Sequence, residues 1–451
     1  MRQIALVLLS LPLGLALNLA LTDPLAGSER PNLIYIMVDD LGYGDLGCFG
    51  QQRIQTPNLD QLAGEGMRLT SYYAANTVCR PSRLALWTGR HAGHTAIDSN
   101  SRYIFQKADV TVAELLQQAG YVTGGIGKWA MGGVGTTGHP NQNGFDFWMG
   151  YLDQGAAHNY YPTHLWRNAE KFPLPGNVIG DFPNGRGRVA SERVTYSHDV
   201  MTEQMFGFIR KHHRQPFLFH VHWTIPHANN EGGRVTKDGM EVPDYGIYAK
   251  RDWPQVEKGQ AAMITRMDSD VGRLIALLKE LQIDDRTLVI FTSDNGPHSE
   301  GGHRHEYFDA NGPLRGYKRD LYEGGIRVPT IAWWPGKIKS GVTSDEPLAG
   351  YDWLPTACEL AGVDAPADID GISYVPTLQG RPQTSHEYLF WSYGSKKAVR
   401  KGAMKAVQLA PDRPLELYDL ANDIGETKDL ADQQPQLVSE MKRIIAAAQK
   451  R

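Results

Sequence analysis

The stretch Leu33-Ile34-Tyr35-Ile36-Met37-Val38-Asp39-Asp40 joins an unbroken run of apolar and aromatic residues to two carboxylates. A short run without polar alternation is typical of a strand that is buried on both faces, as in a parallel sheet. Ligands of open parallel sheets bind beyond the carboxyl ends of the strands, which is where the two aspartates fall. The stretch therefore predicts an α/β fold with a site at the end of its first strand.

Three later segments repeat this arrangement of a strand followed by polar residues. Each leads from a buried-looking strand to a lysine, a histidine or an Asp-Asn pair: they are 121–128, 217–227 and 287–295. Between such runs lie amphipathic stretches, such as Arg273 to Leu281, and this alternation predicts an α/β class. We expect the four strand ends to converge on one site.

A second informative motif is Cys79-Arg80-Pro81-Ser82-Arg83. Pro81 suits the first position of a helix, and the helix is expected to end near Gly89. Cys79 would lie just ahead of that helix, where free N–H groups and the helix dipole favour an anion. Arg83 would share the same face, and its guanidinium suits bidentate binding of a tetrahedral oxyanion.

Two pairs of oxygen-bearing residues are candidate metal ligands. Asp39, Asp40, Asp294 and Asn295 offer only oxygen donors, which suit Ca²⁺ or Mg²⁺, and neither pair has an adjacent histidine or cysteine that would indicate zinc. The alternative is that both pairs simply form turns after strands. Because both follow strands and accompany the other motifs, we favour the metal site.

These motifs occur in order with three others: Gly127-Lys128-Trp129, Pro226-His227, and Lys318 followed by Glu323-Gly324-Gly325. Together they make the chain, from about Leu33 to Pro329, resemble the type I sulfatases of the alkaline phosphatase-like superfamily; Glu416–Leu420 extends the match weakly. The resemblance implies a mainly parallel central sheet flanked by helices, with a small C-terminal α+β subdomain. It also implies that a formylglycine-generating maturation enzyme oxidises Cys79 to Cα-formylglycine.

The resemblance further implies roles for the polar residues. Ca²⁺ is expected in most members, with the formylglycine oxygen completing its shell. Lys128 and Lys318 would bind sulfate oxygens, and His227 would protonate the leaving alcohol. The formylglycine hydrate would attack sulfur, and deprotonation of its second hydroxyl would later expel sulfate from the covalent hemiester.

The chain departs from the family pattern at one position. Many sulfatases carry a histidine after Gly-Lys-Trp that assists the hydrate, and this chain has Ala130 there. The base for the second hydroxyl is therefore unassigned: either another histidine or the metal-site aspartates would take over, or the enzyme would be slower or inactive.

The substrate is predicted from a segment rich in aromatic residues, 145–166, whose side chains either stack on sugars or pack in the core. His158 in this segment is predicted to bind a sugar hydroxyl, the alternative being a histidine that caps its loop. The histidines at 298–305 are expected near the same pocket.

We expect the substrate to be a sulfated carbohydrate rather than a small aryl sulfate. The rival functions are a phosphate or phosphonate ester hydrolase and a non-catalytic glycan-binding protein.

Composition sets the remaining expectations for this 451-residue chain. A net charge of −4 argues against a general nucleic-acid binder, and three cysteines do not make a disulfide framework, so Cys48 and Cys358 are expected to be free.

Residues 1–26 resemble a secretory signal peptide, with an uncleaved anchor as the alternative. A cleaved signal peptide predicts an exported protein that is free of the membrane after cleavage. The expected domains are 31–375, catalytic, and 385–451, a small antiparallel sheet. Residues 132–188 are expected to form loops over the site.

Overall fold

A computed structural model describes residues 30–449, so the predicted signal peptide lies outside the described residues. The strands are β1 Asn32–Val38, β2 Met67–Leu69, β3 Tyr72–Tyr73, β4 Val122–Lys128, β5 Phe147–Tyr151, β6 His164–Arg167, β7 Glu170–Pro173, β8 Val178–Ile179, β9 Ala190–Glu192, β10 Phe217–His222, β11 Thr287–Ser293, β12 Thr330–Trp333, β13 Val342–Ser344, β14 Leu348–Ala349, β15 Leu389–Tyr393, β16 Lys396–Lys401, β17 Met404–Gln408 and β18 Glu416–Asp419. The α-helices are α1 Pro57–Glu65, α2 Cys79–Thr88, α3 Val112–Gln118, α4 Ser197–His212, α5 Asn230–Thr236, α6 Gln255–Glu280, α7 Glu323–Ile326, α8 Trp353–Ala361, α9 Val375–Leu378 and α10 Pro435–Ala447.

The central sheet has the strand order β13-β2-β12-β11-β1-β10-β4-β5-β6-β7. Its five middle strands, from β11 to β5 in this order, are parallel. At the two ends of this block, β12 pairs antiparallel with β11 and β6 pairs antiparallel with β5. The strands that precede the four motif ends are therefore immediate neighbours. This confirms the α/β prediction, with a mixed rather than wholly parallel sheet.

Helices cover both faces of this sheet. Ile34 and Ile36 of β1 join the apolar core formed with α1, α4 and α6. Leu33 and Tyr35, which point the opposite way, join the core formed with α2, α3 and α8. Because side chains alternate along a strand, a continuous apolar run fills both cores, which explains the lack of alternation in the sequence.

The prediction of loops for residues 132–188 is wrong in part. Strands β5, β6 and β7 lie within this region and extend the central sheet at its edge. β6 and β7 form an exposed hairpin with mixed polarity, so their sequence carries neither a buried run nor a regular alternation. The rest of the region contains turns and the short strand β8, which pairs with β9 just beyond the region.

A four-stranded antiparallel sheet, β15-β16-β17-β18, follows the central domain, and α10 packs on it through Met441 and Ile445. Its Lys405 reaches Glu323 of the Glu-Gly-Gly motif, with 2.8 Å between Nζ and Oε1. Among residues 30–449 the cysteines are free, and no helix is long and apolar enough to cross a membrane.

Candidate active site

The ends of the central parallel strands bring the predicted metal ligands together. Asp39 and Asp40 follow β1, and Asp294 and Asn295 follow the neighbouring β11; all four side chains are buried. The backbone N–H of Asp40 donates to Asp294 Oδ1 at 3.2 Å, and Asn295 Nδ2 donates to Asp40 Oδ1 at 2.7 Å. Two segments separated by more than 250 residues thus form one oxygen-rich cluster.

Helix α2 carries Cys79 into this cluster. The helix begins at Cys79 itself, so Pro81 is its third residue, a position in the first turn that still requires no intrahelical N–H bond. It ends as predicted at Gly89, whose φ of 69° is the left-handed conformation that glycine adopts readily. Cys79 Sγ lies 3.1 Å from Asp39 Oδ1 and 4.0 Å from Asp40 Oδ1.

Arg83 is oriented differently from the sequence expectation. Its Nε and Nη2 both donate to Asp294 Oδ2, at 3.1 and 2.7 Å, and Nη1 lies 2.8 Å from His222 Nδ1. The side chain is fully buried, so its fork grips a carboxylate of the cluster rather than presenting itself to an incoming oxyanion. Arg83 therefore positions Asp294 in this structure.

Two lysines line the cluster from opposite sides. Lys128, at the end of β4, donates to Asp39 Oδ2 at 2.7 Å, and Lys318 donates to Asp40 Oδ2 at the same distance. Lys318 Nζ also lies 3.2 Å from His227 Nε2 and 3.2 Å from Glu300 Oε2. Each aspartate thus keeps its second oxygen, Oδ1, on the side of Cys79.

Burial and neighbouring charge set the protonation of the site. Burial alone would raise the pKa of Asp39, but Lys128 and the other cations hold it well below its ordinary value. Burial and the ammonium of Lys318 lower the pKa of His227 to about 3, so its imidazole is neutral. Burial and the charge of Asp39 raise the pKa of the Cys79 thiol, and an un-ionised thiol is a weak nucleophile.

The residues fit a hard divalent cation. Asn295 Oδ1 is buried and accepts no hydrogen bond from any described residue, an arrangement that is costly unless a cation or donor reaches it. The cluster sets four carboxylates, Asp39, Asp40, Asp294 and Glu300, against four cationic side chains, Lys128, Lys318, Arg83 and Arg319. A bound Ca²⁺ or Mg²⁺ would add positive charge to this balanced set and so favour the binding of an anionic ester.

His158 lies beside His227, with its ring stacked at 4.6 Å between centroids and 20° between planes. Its Nδ1 pairs with Glu231 Oε2 at 3.1 Å, and its Nε2 has no hydrogen-bond partner in the described part of the chain. The side chain is 16% exposed. The structure thus brings His158 to the mouth of the site with one ring nitrogen available.

The other predicted lining residues divide between the site and the core. Phe145, Trp148 and Tyr160 are buried in the apolar cores, so these aromatic side chains pack rather than form an open platform. His298 lies 6.0 Å from His227 between ring centroids, whereas His303 pairs with a glutamate of α6.

Sequence reasoning missed Glu300 and Glu231, which orient Lys318 and His158. Each is a single acid in or near an irregular loop, and neither a spacing nor a periodic pattern distinguishes it from a surface residue. The short Pro-His motif was the available signal that chemistry lies nearby, because Glu231 follows His227 by four residues, in the first turn of α5.

The position of the missing histidine is also clear. Ala130 has a positive φ of 67° just beyond β4. Within residues 30–449, Cys79 Sγ makes no hydrogen bond with a histidine, although a ring nitrogen of His227 lies within 4.8 Å of it, whereas Asp39 Oδ1 is a hydrogen-bond partner at 3.1 Å. Of the two alternatives for the base, the aspartates are the ones in contact with residue 79.

Comparison with known proteins agrees with this architecture. Residues 31–363 match the family described as Sulfatase, and residues 305–451 match N-sulphoglucosamine sulphohydrolase, C-terminal. The chain is 31% identical over 410 residues to N-acetylgalactosamine-6-sulfatase of Canis lupus familiaris, covering 84% of this chain and 72% of that protein. It is 33% identical over 466 residues to human arylsulfatase A, covering 92% and 86%.

Structural comparison extends the same result. The solved structure of Ps i-CgsB in complex with k-i-k-neocarrahexaose is similar with a TM-score of 0.79 and 27% identity, covering 93% of this chain and 92% of that one. With a family match over most of its length, the chain belongs to the type I sulfatase family. It is accordingly a sulfuric ester hydrolase with an alkaline phosphatase-like fold, which confirms both expectations from the motifs.

Proposed function

We propose that the protein hydrolyses sulfate esters of a sulfated carbohydrate, using a nucleophile derived from Cys79 and a divalent cation. The observation that carries this proposal is the distance of 3.1 Å between Cys79 Sγ and Asp39 Oδ1 in a buried pocket that also holds Lys128 and Lys318. A buried thiol with a raised pKa is poorly suited to attack sulfur, which supports its conversion to Cα-formylglycine.

Asp39, Asp40, Asp294 and Asn295 would hold the cation, Ca²⁺ or Mg²⁺. Formylglycine supplies a nucleophilic hydrate oxygen when it is formed, and the cation supplies charge neutralisation when it is bound. Lys128 and Lys318 provide ammonium groups for the sulfate oxygens and stabilise the charge that develops as the S–O bond breaks. The base for the second hydroxyl would be one of the carboxylates beside residue 79, of which Asp39 Oδ1, at 3.1 Å from Cys79 Sγ, is the nearer.

The leaving alcohol would receive its proton from His227. Nδ1 of this histidine lies 2.7 Å from Ala228 O and therefore carries the ring hydrogen, which leaves Nε2 as the acceptor that faces Lys318 Nζ at 3.2 Å. Nε2 is therefore the ring nitrogen that would carry a proton to the alcohol oxygen, and the sulfate ester, by drawing the positive charge of Lys318 towards its own oxygens, would favour protonation of this nitrogen.

The carbohydrate preference is supported by the names of the relatives. One of them acts on N-acetylgalactosamine-6-sulfate, and Ps i-CgsB was solved with a neocarrahexaose. Nε2 of His158, next to His227, would bind a hydroxyl of the sugar that carries the sulfate. Such a contact discriminates sugars strongly, because a ligand that lacks the hydroxyl leaves a polar group unpaired.

The test is sulfate release by protein produced together with a formylglycine-generating enzyme. Sulfated monosaccharides should be hydrolysed faster than 4-nitrophenyl sulfate, and 4-nitrophenyl phosphate should be hydrolysed least. Faster phosphate release would favour the phosphate ester hydrolase, and sugar binding without turnover despite a complete aldehyde would favour the glycan-binding protein.

A single variant tests the role of His158. His158→Ala should lower activity on the preferred sulfated sugar by about 10²-fold or more while the aryl sulfate loses little. The matched control is His213→Ala, because His213 caps the far end of α4 and its side chain bonds, among the described residues, only with the backbone carbonyl of Arg210. Equal losses on both substrates would instead assign His158 to the chemistry or to folding.

We also propose that residues 1–26 direct export and that 31–375 and 385–451 form the catalytic domain and the C-terminal subdomain. N-terminal sequencing of the exported protein and limited proteolysis between residues 375 and 385 test these two points. An uncleaved N-terminus would favour the membrane anchor.

A further inference from the structure

A cleft of about 640 Å³ lies next to the candidate active site. We name it the Arg80 cleft, after the residue that follows Cys79 on α2. The residues that characterise it are Arg80, Arg102, Ala130, Gln154 and Trp166. Ala130 follows Lys128 and Trp129 at the end of β4, so the cleft adjoins the sulfate pocket.

The cleft is lined by two guanidinium groups with unused donors. Arg80 Nη1 is anchored to Asn100 O at 3.0 Å and Ser101 O at 2.7 Å, whereas its buried Nε has no partner among the described residues. Burial and the positive charge of Arg102 lower the pKa of Arg80, in opposition to the carboxylate of Asp153. The Nε–Nη2 edge of Arg80 is thus free of any described protein acceptor.

Arg102 is exposed and makes no hydrogen bond or ion pair to another residue of the described chain. Asp153, the acid at the rim, is 64% exposed and accepts from the backbone N–H groups of Gly155 and Ala156. Arg188 Nη2 also lies 3.5 Å from this carboxylate, so Asp153 offsets only part of the charge of Arg80 and Arg102, and the cleft keeps a positive balance. Like charges held together in this way favour a bound anion.

Two further groups suit a sugar ring. Gln154 Oε1 is buried without a donor in residues 30–449, and a sugar hydroxyl would supply one. Trp166 is half-buried and offers an aromatic surface to the cleft.

From these features we infer that the Arg80 cleft binds a second sugar, adjacent to the sugar that loses its sulfate, and that this second sugar carries an anionic group. The anion, a sulfate ester or a carboxylate, would lie between Arg102 and the free edge of Arg80, since a guanidinium edge binds two oxygens of one anion. The inference rests on the proposed function and specifies its substrate class: oligosaccharides with anionic groups on neighbouring residues.

The experiment uses a sulfated monosaccharide that the enzyme hydrolyses and three disaccharides that contain it. The neighbouring sugar is neutral in the first, carries a sulfate in the second and is a uronate in the third. The expected result is a kcat/KM about 10- to 100-fold higher for at least one charged disaccharide than for the neutral one, and the two charged arms identify the anion.

Arg102→Ala should remove most of this gain while the monosaccharide keeps its rate, and the control Arg413→Ala, an exposed arginine before β18, should change neither. Equal kcat/KM for the charged and neutral disaccharides would overturn the inference, as would an Arg102→Ala loss that is the same for the monosaccharide. Absence of turnover on every sulfated sugar would overturn the proposed function itself, a result distinct from turnover without the charge-dependent gain.

Discussion

Lys405 is expected to be a major source of stability, because it joins the C-terminal sheet to the catalytic domain through a fully buried charge cluster. Its Nζ lies 2.8 Å from Glu323 Oε1 and 2.9 Å from Glu426 Oε1, and all three side chains are 0% exposed. Glu323 also accepts from Tyr73 and Arg327, whereas Glu426 has Lys405 as its cationic partner. The glutamate of the Glu-Gly-Gly motif is therefore a structural anchor.

Lys405→Met preserves the length of the side chain but leaves the two carboxylates with less compensation. Removing one partner from a buried ion pair costs about 3–5 kcal/mol, and we expect the free energy of unfolding to fall by that amount. Burial raises the pKa of Glu426 to about 7 despite the nearby lysine, so without Lys405 this carboxyl would take up a proton near neutral pH, and the loss of stability should be largest above that pH. Adding Glu426→Gln to the variant should recover part of the stability, because it removes the uncompensated acid.

The assay is urea unfolding followed by tryptophan fluorescence, with Lys401→Met as the control. Lys401 is four residues away, but its ion pair with Glu440 is at the surface, where such pairs contribute little. We expect a large fall in the free energy of unfolding for Lys405→Met and little change for Lys401→Met. Similar midpoints for the two variants, or no recovery on adding Glu426→Gln, would refute the reasoning.

Three further predictions concern the site and the pH dependence of stability. Lys318→Met should lower kcat by about 10²–10³-fold, with the partly exposed Lys396→Met unchanged as its control. Chelation should remove activity, and Ca²⁺ or Mg²⁺ should restore it better than Zn²⁺. Asp294→Ala should lose bound metal and activity together. Unchanged kinetics in this variant would assign Asp294 to a turn-forming role instead. Burial alone would lower the pKa of His386, but the carboxylate of Asp352 raises it by more, so the pKa lies above its ordinary value. The ion pair therefore stabilises the fold at pH values below this raised pKa, and the stabilisation is lost above it. His386→Gln should therefore cost more unfolding free energy at about pH 6 than at about pH 9.

The central strands and the cluster of oxygen-bearing side chains at their ends were predictable, because buried strands and polar site residues have recognisable sequence patterns. The sequences of β1 and β11 contain nearly continuous apolar runs because both faces of each strand are buried. The residues that follow these strands are polar because they form the candidate site. The C-terminal end of α2 was predictable at Gly89 because a left-handed residue is needed there.

The orientation of Arg83 and the presence of strands β5 to β7 were not predictable in the same way. A guanidinium one helical turn from Cys79 can face either a ligand or Asp294, and tertiary packing alone decides between them. Short edge strands such as β7 lack a buried face, so periodicity gives no signal for them. Glu300 belongs to the site only because it contacts Lys318, and this contact forms only in the folded chain.

The most direct test of the proposed mechanism is the mass of the proteolytic peptide that contains residue 79. In active protein, part of this peptide should carry an aldehyde in place of the thiol-bearing side chain, trappable with a hydrazide, and activity should rise in proportion to that part. Cys79→Ala should fold but release no sulfate. Full activity in protein whose Cys79 is an unmodified thiol would contradict the mechanism.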